Sequence, residues 1–300
     1  MNDPSRAETV GRETLRLWSQ RSDAPGLIHL AGHVIALALT GTGIWLARGT
    51  LWIWPAMWLH GIVLIFLFTP LHECIHRTAF KTRALNEAVA FVVGALILLP
   101  REYFRAFHFA HHRFTQDPAR DPELASAKQT NLRQWLWQVS GMPYWIAQTR
   151  GTVAHALGRA NESFYKDDRQ RRAVILEARA VLALYALVLV VSLATGSMAA
   201  LLTWVVPALL GQPALRLYLM AEHGLCPLTP DMLENTRTTY TNALVRALAW
   251  NMPYHAEHHA YPAVPFHRLA DVNRAIGPRL KVTAPGYGAV QRQILQSFRR

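Results

Sequence analysis

Fourteen of the 300 residues are His, and nine of these fall in four short groups. His72 and His76 stand in HECIH, His108, His111 and His112 in HFAHH, and His255, His258 and His259 in HAEHH, while His223 stands singly in AEHG. Helix positions three and four apart share a face, so each group would present its imidazoles as one stripe. With His at about one residue in twenty, a given HxxHH is expected at about one start in ten thousand, and here it occurs twice. Imidazole is the commonest protein ligand for metals. A catalytic zinc takes three protein ligands and a structural one four, so eight or nine imidazoles suit two metal ions. Ligand type leaves the metal open, because imidazole suits Zn, Cu, Fe and Ni alike. The two Cys, Cys74 and Cys226, form no CxxC pair and are too few for an iron–sulfur cluster or a disulfide framework, so redox electrons would have to come from elsewhere. Cys74 lies about 200° around a helix from His72 and reads as packing. Glu73, Glu102, Glu222 and Glu257 lie in or near these groups; their expected role is hydrogen bonding to ligand N–H groups, with direct ligation as the alternative.

Such side chains need elements to hold them, and the composition says which. The chain is 51% hydrophobic and only 17% charged, which is apolar for a soluble protein of this size. Residues 27–47 and 51–70 are uncharged runs of about the length a helix needs to cross roughly 30 Å of hydrocarbon. Trp52, Trp54 and Trp58 open the second run, where an interfacial aromatic belt would lie. Residues 88–100 are apolar but too short to span unaided, which predicts an interfacial or re-entrant piece. The long apolar tract from 181 to 219 is broken by Thr195, Gly196 and Ser197, so it is expected to be two further spans, 181–195 and 198–219, turning near Gly196. The expected fold is therefore all-α and integral to a membrane. It has four transmembrane helices as two hairpins, interfacial helices, and a His-rich cap on the face where the hairpins begin and end.

The net charge of +12 follows from the same layout. Residues 101–180 hold more than a dozen Lys and Arg, whereas the opposite loops hold almost none beyond Arg48. The positive-inside rule makes the basic face cytoplasmic, with both termini on it, in a multi-pass protein of the bacterial inner-membrane type. A nucleic-acid partner is disfavoured, since many of the aromatics belong to spans rather than to a basic soluble face. Residues 1–26, with Arg6, Arg12, Arg16 and Arg21, lack a signal-peptide pattern and are expected to be a cytoplasmic tail. Residues 27–275 form the membrane domain, with 101–180 as its cytoplasmic segment, and 276–300 are expected to be a basic C-terminal tail.

With these residues in place, the chain resembles the membrane fatty acid desaturase and hydroxylase superfamily, whose hallmark is three histidine boxes. The boxes here are His72 to His76, His108 to His112 and His255 to His259, and the likeness covers about residues 27 to 275, including the ending NMPYHAEHHAYPAVPFH. The resemblance implies two iron ions held by the nine His, with His223 as the additional ligand some members place after the fourth span. It implies O₂-dependent oxidation of an unactivated C–H in a lipid-like substrate taken from the bilayer, foremost acyl desaturation. The alternative is hydroxylation or ketolation of an alkane, carotenoid or small lipid, and a non-catalytic transition-metal-binding membrane protein is a remote third reading. Zinc has no accessible redox couple for such chemistry, which agrees with iron. An external electron donor, a ferredoxin or a b-type cytochrome, is implied as partner. One departure is Leu219, where some acyl-CoA desaturases carry an Asn.

Other residues receive readings from position. A slot for the substrate tail is expected between spans beside Trp45, Trp54 and Phe66. Arg101, Arg105 and Arg113 are positive-inside charges that could also hold a head group or an acidic donor. The TQDPARDPE loop, 115–123, is expected to be a surface turn. His29, His33 and His60 lie inside spans, where a functional role and a hydrogen bond between helices are both open. His155 is expected to be solvated, and His267 has no box partner.

Overall fold

The computed structural model describes residues 10–126 and 128–299; residues 1–9 of the expected N-terminal tail, Arg6 included, lie outside the described residues. Among the described residues the regular structure is helical apart from one parallel pairing of β1 (Thr238–Thr239) with β2 (Thr283–Ala284). A short α1 (Arg12–Trp18) leads into α2 (Asp23–Leu46). Next, α3 (Ile53–Ile65) and α4 (Phe68–His76) run on as one 24-residue segment. Then α5 (Arg83–Leu96) turns by 100° into α6 (Arg101–Phe114). Two helices, α7 (Leu132–Val139) and α8 (Met142–Ala156), precede the long α9 (Asp168–Thr195). A π-turn at Leu201–Val205 opens α10 (Val206–His223). The chain closes with α11 (Met232–Asn235), α12 (Ala243–Leu248), α13 (His255–Ala260), α14 (Leu269–Ile276) and α15 (Tyr287–Ser297).

Three helical segments are long and apolar enough to cross a membrane, Asp23–Leu46, Ile53–His76 and Asp168–Thr195. The expected fourth crossing, 198–219, is not among them, although Leu201 to His223 is helical throughout. Gly196 takes φ 64° at the end of α9, which places the expected turn there. A residue without Cβ adopts that conformation at little cost. The segment expected at 88–100 begins earlier, at Arg83, and stops at Leu96. There Leu98 is left-handed at φ 55° and Pro100 caps α6, so the 14-residue helix is too short to cross and bends back toward the site.

The centre of the bundle is the crossing of α3 with α10. A Cβ on Gly61 would overlap the Pro207 carbonyl, and one on Gly211 would overlap the Gly61 carbonyl, so the two backbones touch. Small residues at helix contacts allow this approach where lipid removes the hydrophobic drive for association. The in-span histidines serve the same packing. His60 Nε2 lies 3.0 Å from the Thr203 carbonyl oxygen and Nδ1 2.8 Å from Thr40 Oγ1, and His33 Nε2 lies 2.8 Å from the Val63 carbonyl oxygen. His29 packs edge-on against Phe266. By contrast Trp45 and Trp54 are 65% and 57% exposed and point outward, so they line no internal slot, and Phe66 is buried against Tyr218.

Two expected tails are parts of the fold. Val10 is buried in the core, and Leu15 and Trp18 pack on it. The 276–300 segment supplies β2 and α15, whose Val290 and Ile294 are buried against Ala221, while Gln291 donates to the Leu217 carbonyl oxygen at 2.8 Å. Its basic residues hide an apolar stripe, with Tyr287 stacked on Tyr218 at 4.9 Å. His155, expected in solvent, is 3% exposed and paired with Glu162 at 2.7 Å.

Candidate metal centre

Each histidine group sits where a helix ends. The Ile53–His76 segment runs straight through His72 and His76, then stops because Arg77 turns left-handed at φ 59°. Glu73 secures that stop: its Oε2 accepts from Thr78 Oγ1 at 2.8 Å and from the Phe266 amide at 3.2 Å. The bent-back α6 carries His108, His111 and His112 on one stripe, as offsets of three and four require. The six-residue α13 carries the last group. It is set by left-handed Trp250 and Asn251 just before it, with the Trp250 ring wholly buried. His223 is the last residue of α10.

The nine side chains converge from four elements. Ligand-capable atoms of His72, His76, His108, His112 and His258 lie within 4.8 Å of one another, and so do those of His111, His223 and His259. His255 joins the second group, its Nε2 3.2 Å from His223 Nε2. Zinc–imidazole bonds are about 2.0–2.1 Å, so nitrogens across one such ion stand about 4 Å apart and each group is the size of a single-ion site. The two groups adjoin: His112 and His259 stack at 4.1 Å and 10°, and His108 and His111 are ring neighbours at 5.8 Å.

In the second group the hydrogen bonds set the imidazole tautomers. His111 Nδ1 donates to Asp121 Oδ1 at 3.0 Å, and His223 Nδ1 to the Asn235 carbonyl oxygen at 3.2 Å. Thr115 Oγ1 spends its proton on the His111 carbonyl oxygen at 2.8 Å, so His259 Nδ1, 3.3 Å away, is the donor to that hydroxyl. Each ring therefore keeps an Nε2 lone pair, and His111 Nε2 and His223 Nε2 face each other at 3.2 Å. Lone pairs so arranged repel unless a cation stands between them. In the first group His108 and His112 present Nε2 atoms to each other at 2.8 Å, and His112 and His258 at 3.2 Å. Both nitrogens of His72, Nε2 of His76 and Nε2 of His259 are buried without a hydrogen-bond partner. Unpaired buried polar atoms are costly. The donor set thus fits two metal ions.

Burial also favours the neutral form of most of these rings, with His111 the exception, raised because Glu123 and Asp121 outweigh its burial. Burial holds His255, His258 and His259 well below the usual imidazole range, and neighbouring imidazoles push the same way. Asp121 behaves oppositely: burial would raise its carboxyl, but the His111 hydrogen bond and the Gln116 and Glu123 amides outweigh it and hold it low. It is therefore an anion aimed at His111.

The acidic residues divide. Glu222 Oε1 stands 3.5 Å from His255 Nδ1 and Glu73 Oε1 3.8 Å from His72 Nδ1, both beyond a good hydrogen bond. Glu257 turns away to Thr238 Oγ1 at 2.5 Å and to Asn273, tying α13 to β1 and α14. Glu102 pairs with Arg105 at 2.8 Å and, among the described residues, forms no ion pair or hydrogen bond with a box histidine. Arg101 and Arg105 are engaged with Glu177, Glu87 and Glu102, so they are not free for a head group. Asp121, Thr115 and Asn235 escaped the sequence reading. The 115–123 loop holds Asp121 at 5% exposure rather than on the surface, and only its second Asp-Pro pair hinted at a fixed turn.

A cavity of about 1170 Å³ reaches both groups through His72, His108, His111, His223 and His255. Its other walls are α6, the 116–126 loop, α8, the 162–166 segment, α10 and the end of α15.

Comparison with known proteins agrees with this geometry. The sequence profile described as "Fatty acid desaturase" matches residues 49–293. Dihydrorhizobitoxine desaturase of Bradyrhizobium elkanii is 25% identical over 253 residues, covering 80% of this chain and 70% of that protein. Sphingolipid delta(4)-desaturase/C4-monooxygenase DES2 of Rattus norvegicus is 24% identical over 263 residues, 81% of this chain and 70% of its own length. The endoplasmic-reticulum omega-6 fatty acid desaturase of Brassica juncea is 23% identical, with 76% and 67% covered. A protein with three membrane-length apolar helices, clustered buried histidines and this profile over most of its length belongs to the fatty acid desaturase family and is a membrane oxidoreductase, a desaturase or monooxygenase.

Proposed function

We propose that the protein is an O₂-dependent di-iron desaturase. The observation that carries this reading is the pair of adjoining imidazole groups, each the size of a one-ion site. His72, His76, His108, His112 and His258 would hold one iron, and His111, His223, His255 and His259 the other. Two bound irons would supply the redox chemistry that activates O₂ and breaks an unactivated C–H, which zinc cannot supply. The chain's own residues prepare the site. Asp121, Asn235 and Thr115 hold three rings with Nε2 forward, as partners of metal-bound His generally do. Burial keeps His255, His258 and His259 unprotonated, and the cavity brings substrate against both groups.

The layout favours four crossings, with Leu201–His223 as the fourth, because it packs backbone to backbone on α3 and ends beside the same site. Both termini and the His-rich cap then lie on the cytoplasmic side of a bacterial-type inner membrane, by the positive-inside rule. No thiolate cluster is available in the chain, and both Cys are buried. Electrons would therefore come from an external donor, a ferredoxin or a b-type cytochrome. Hydroxylation is the second reading, because the rat relative is named for both a desaturase and a monooxygenase activity. The test is turnover by purified protein in lipid vesicles with and without reduced ferredoxin under O₂. Product should need both, and product formed without reductant would contradict the reading.

A further inference from the structure

Arg216 lies in α10 seven residues before His223, which is about 10.5 Å along the helix and almost two full turns, so the two share a face. It lines the same cavity as the histidines. Its guanidinium is held in place: the plane stands over the Tyr144 ring at 4.6 Å, and the Tyr144 hydroxyl is anchored on the Ile97 carbonyl oxygen at 2.6 Å. With the Gln212 amide turned to present its oxygen, the orientation that satisfies both groups, Nε and one Nη donate to it at 3.2 Å each. Gln212 is itself wholly buried against Gly141, where a Cβ would collide with it.

This fixed cation has no ion-pair partner at contact distance, although Glu123 and Glu222 act on it from farther off. Among the described residues no carboxylate comes within ion-pair distance of it. Glu222 is turned to His255 at 3.5 Å, and Glu123 to His111 at 3.7 Å. Arg offers five donors in a planar fork that matches a carboxylate, and Gln212 takes only two of them. The donors left open face the cavity, where an anionic group of a ligand can take them. The neighbouring Glu123 and Glu222 carboxylates, which also line the cavity, oppose a doubly charged phosphate more than a singly charged carboxylate. The rim carries the exposed Arg113, Lys128 and Lys166, all outside the three apolar segments. An ionised acid can enter there from water.

We propose that Arg216 binds the free carboxylate of the substrate, so that the enzyme acts on an unesterified organic acid. Arg216 then sets the distance between the acid group and the oxidised carbon to the order of the ~10 Å that separates it from His223 along α10. This rests on the oxidase reading for the site but is tested apart from turnover.

The experiment is equilibrium dialysis of hexanoate, methyl hexanoate and hexyl phosphate against metal-loaded protein in nanodiscs, with metal content measured on each sample. Wild-type protein should bind hexanoate more tightly than either analogue. R216Q should weaken hexanoate binding by about 10- to 100-fold, the worth of a charge-assisted pair, and leave the methyl ester unchanged. R216K, which keeps the charge but not the fork, should fall between. The ester comparison needs no variant and stands even where R216Q fails to fold. Equal affinity for acid and ester, tighter binding of the phosphate, or wild-type hexanoate affinity in R216Q would overturn the proposal. Any of these with full metal loading leaves the oxidase reading intact, whereas hexanoate discrimination in protein that cannot hold a redox metal would sink that reading alone.

Discussion

Removing Asp121 should cost the second histidine group its metal while leaving the fold in place. The carboxylate makes three bonds: Oδ1 accepts from His111 Nδ1 at 3.0 Å and from the Glu123 amide at 2.9 Å, and Oδ2 accepts from the Gln116 amide at 2.8 Å. Only the first acts on the site, by keeping the proton on Nδ1 and the Nε2 lone pair aimed at His223. The other two hold the 115–123 loop. Loss of such a partner to a ligating His typically lowers metal affinity by 10- to 100-fold, or about 1.4–2.8 kcal/mol. In D121A that factor should fall on one ion, because Asp121 touches none of His72, His76, His108, His112 or His258. D121N keeps the loop's shape but can accept on one side only, so its loss should be smaller. The assay is chelator competition on purified protein with metal counted per chain, beside circular dichroism. The expected result is a two-step release curve in D121A, with one ion leaving at lower chelator concentration. A D121A curve identical to wild type would refute the role given to Asp121, and parallel loss of both ions would refute its restriction to one group.

Other consequences follow from packing and burial. Gly211→Ala places a methyl group on the Gly61 backbone and must push α3 and α10 apart, so it should destabilise by about 1–3 kcal/mol and lower the thermal midpoint in detergent, whereas Gly43→Ala, with nothing near its Cβ position, should not. Because His255, His258 and His259 titrate far below 6.5 in the folded state, the unfolded chain takes up protons that the metal-free fold refuses. Stability of metal-free protein should therefore fall as pH drops below about 6.5, by up to about 1.4 kcal/mol per pH unit for each ring. A flat midpoint between pH 7 and 5.5 would contradict the neutral, buried state of these rings.

The histidine groups were legible in the sequence because their geometry is local. Offsets of three and four specify one helix face whatever surrounds it, and the structure does bring those nine side chains together. What holds the rings was not legible. Asp121 reaches His111 across a ten-residue loop, and Thr115 reaches His259 across 144 positions, so neither spacing carries a periodic signal. Charge misled at the C-terminus, where three Arg in the last nine residues suggested a tail although Tyr287, Val290 and Ile294 repeat at three and four and form the face that packs on α10. Arg216 is a lone charge near the end of the 181–219 apolar tract and carries no spacing signal. Its role depends on which carboxylates fail to reach it, and only three-dimensional placement reveals that. Trp45 and Trp54 were assigned inward because aromatic composition does not tell a lipid-facing side from a cavity wall.

Metal analysis of purified protein is the decisive test for two redox irons in the two adjoining imidazole groups. Two irons per chain are predicted, falling to one in H223A and one in H76A, since each removes a ligand from a different group. A single ion, or two zinc ions in a preparation that turns over, would contradict it.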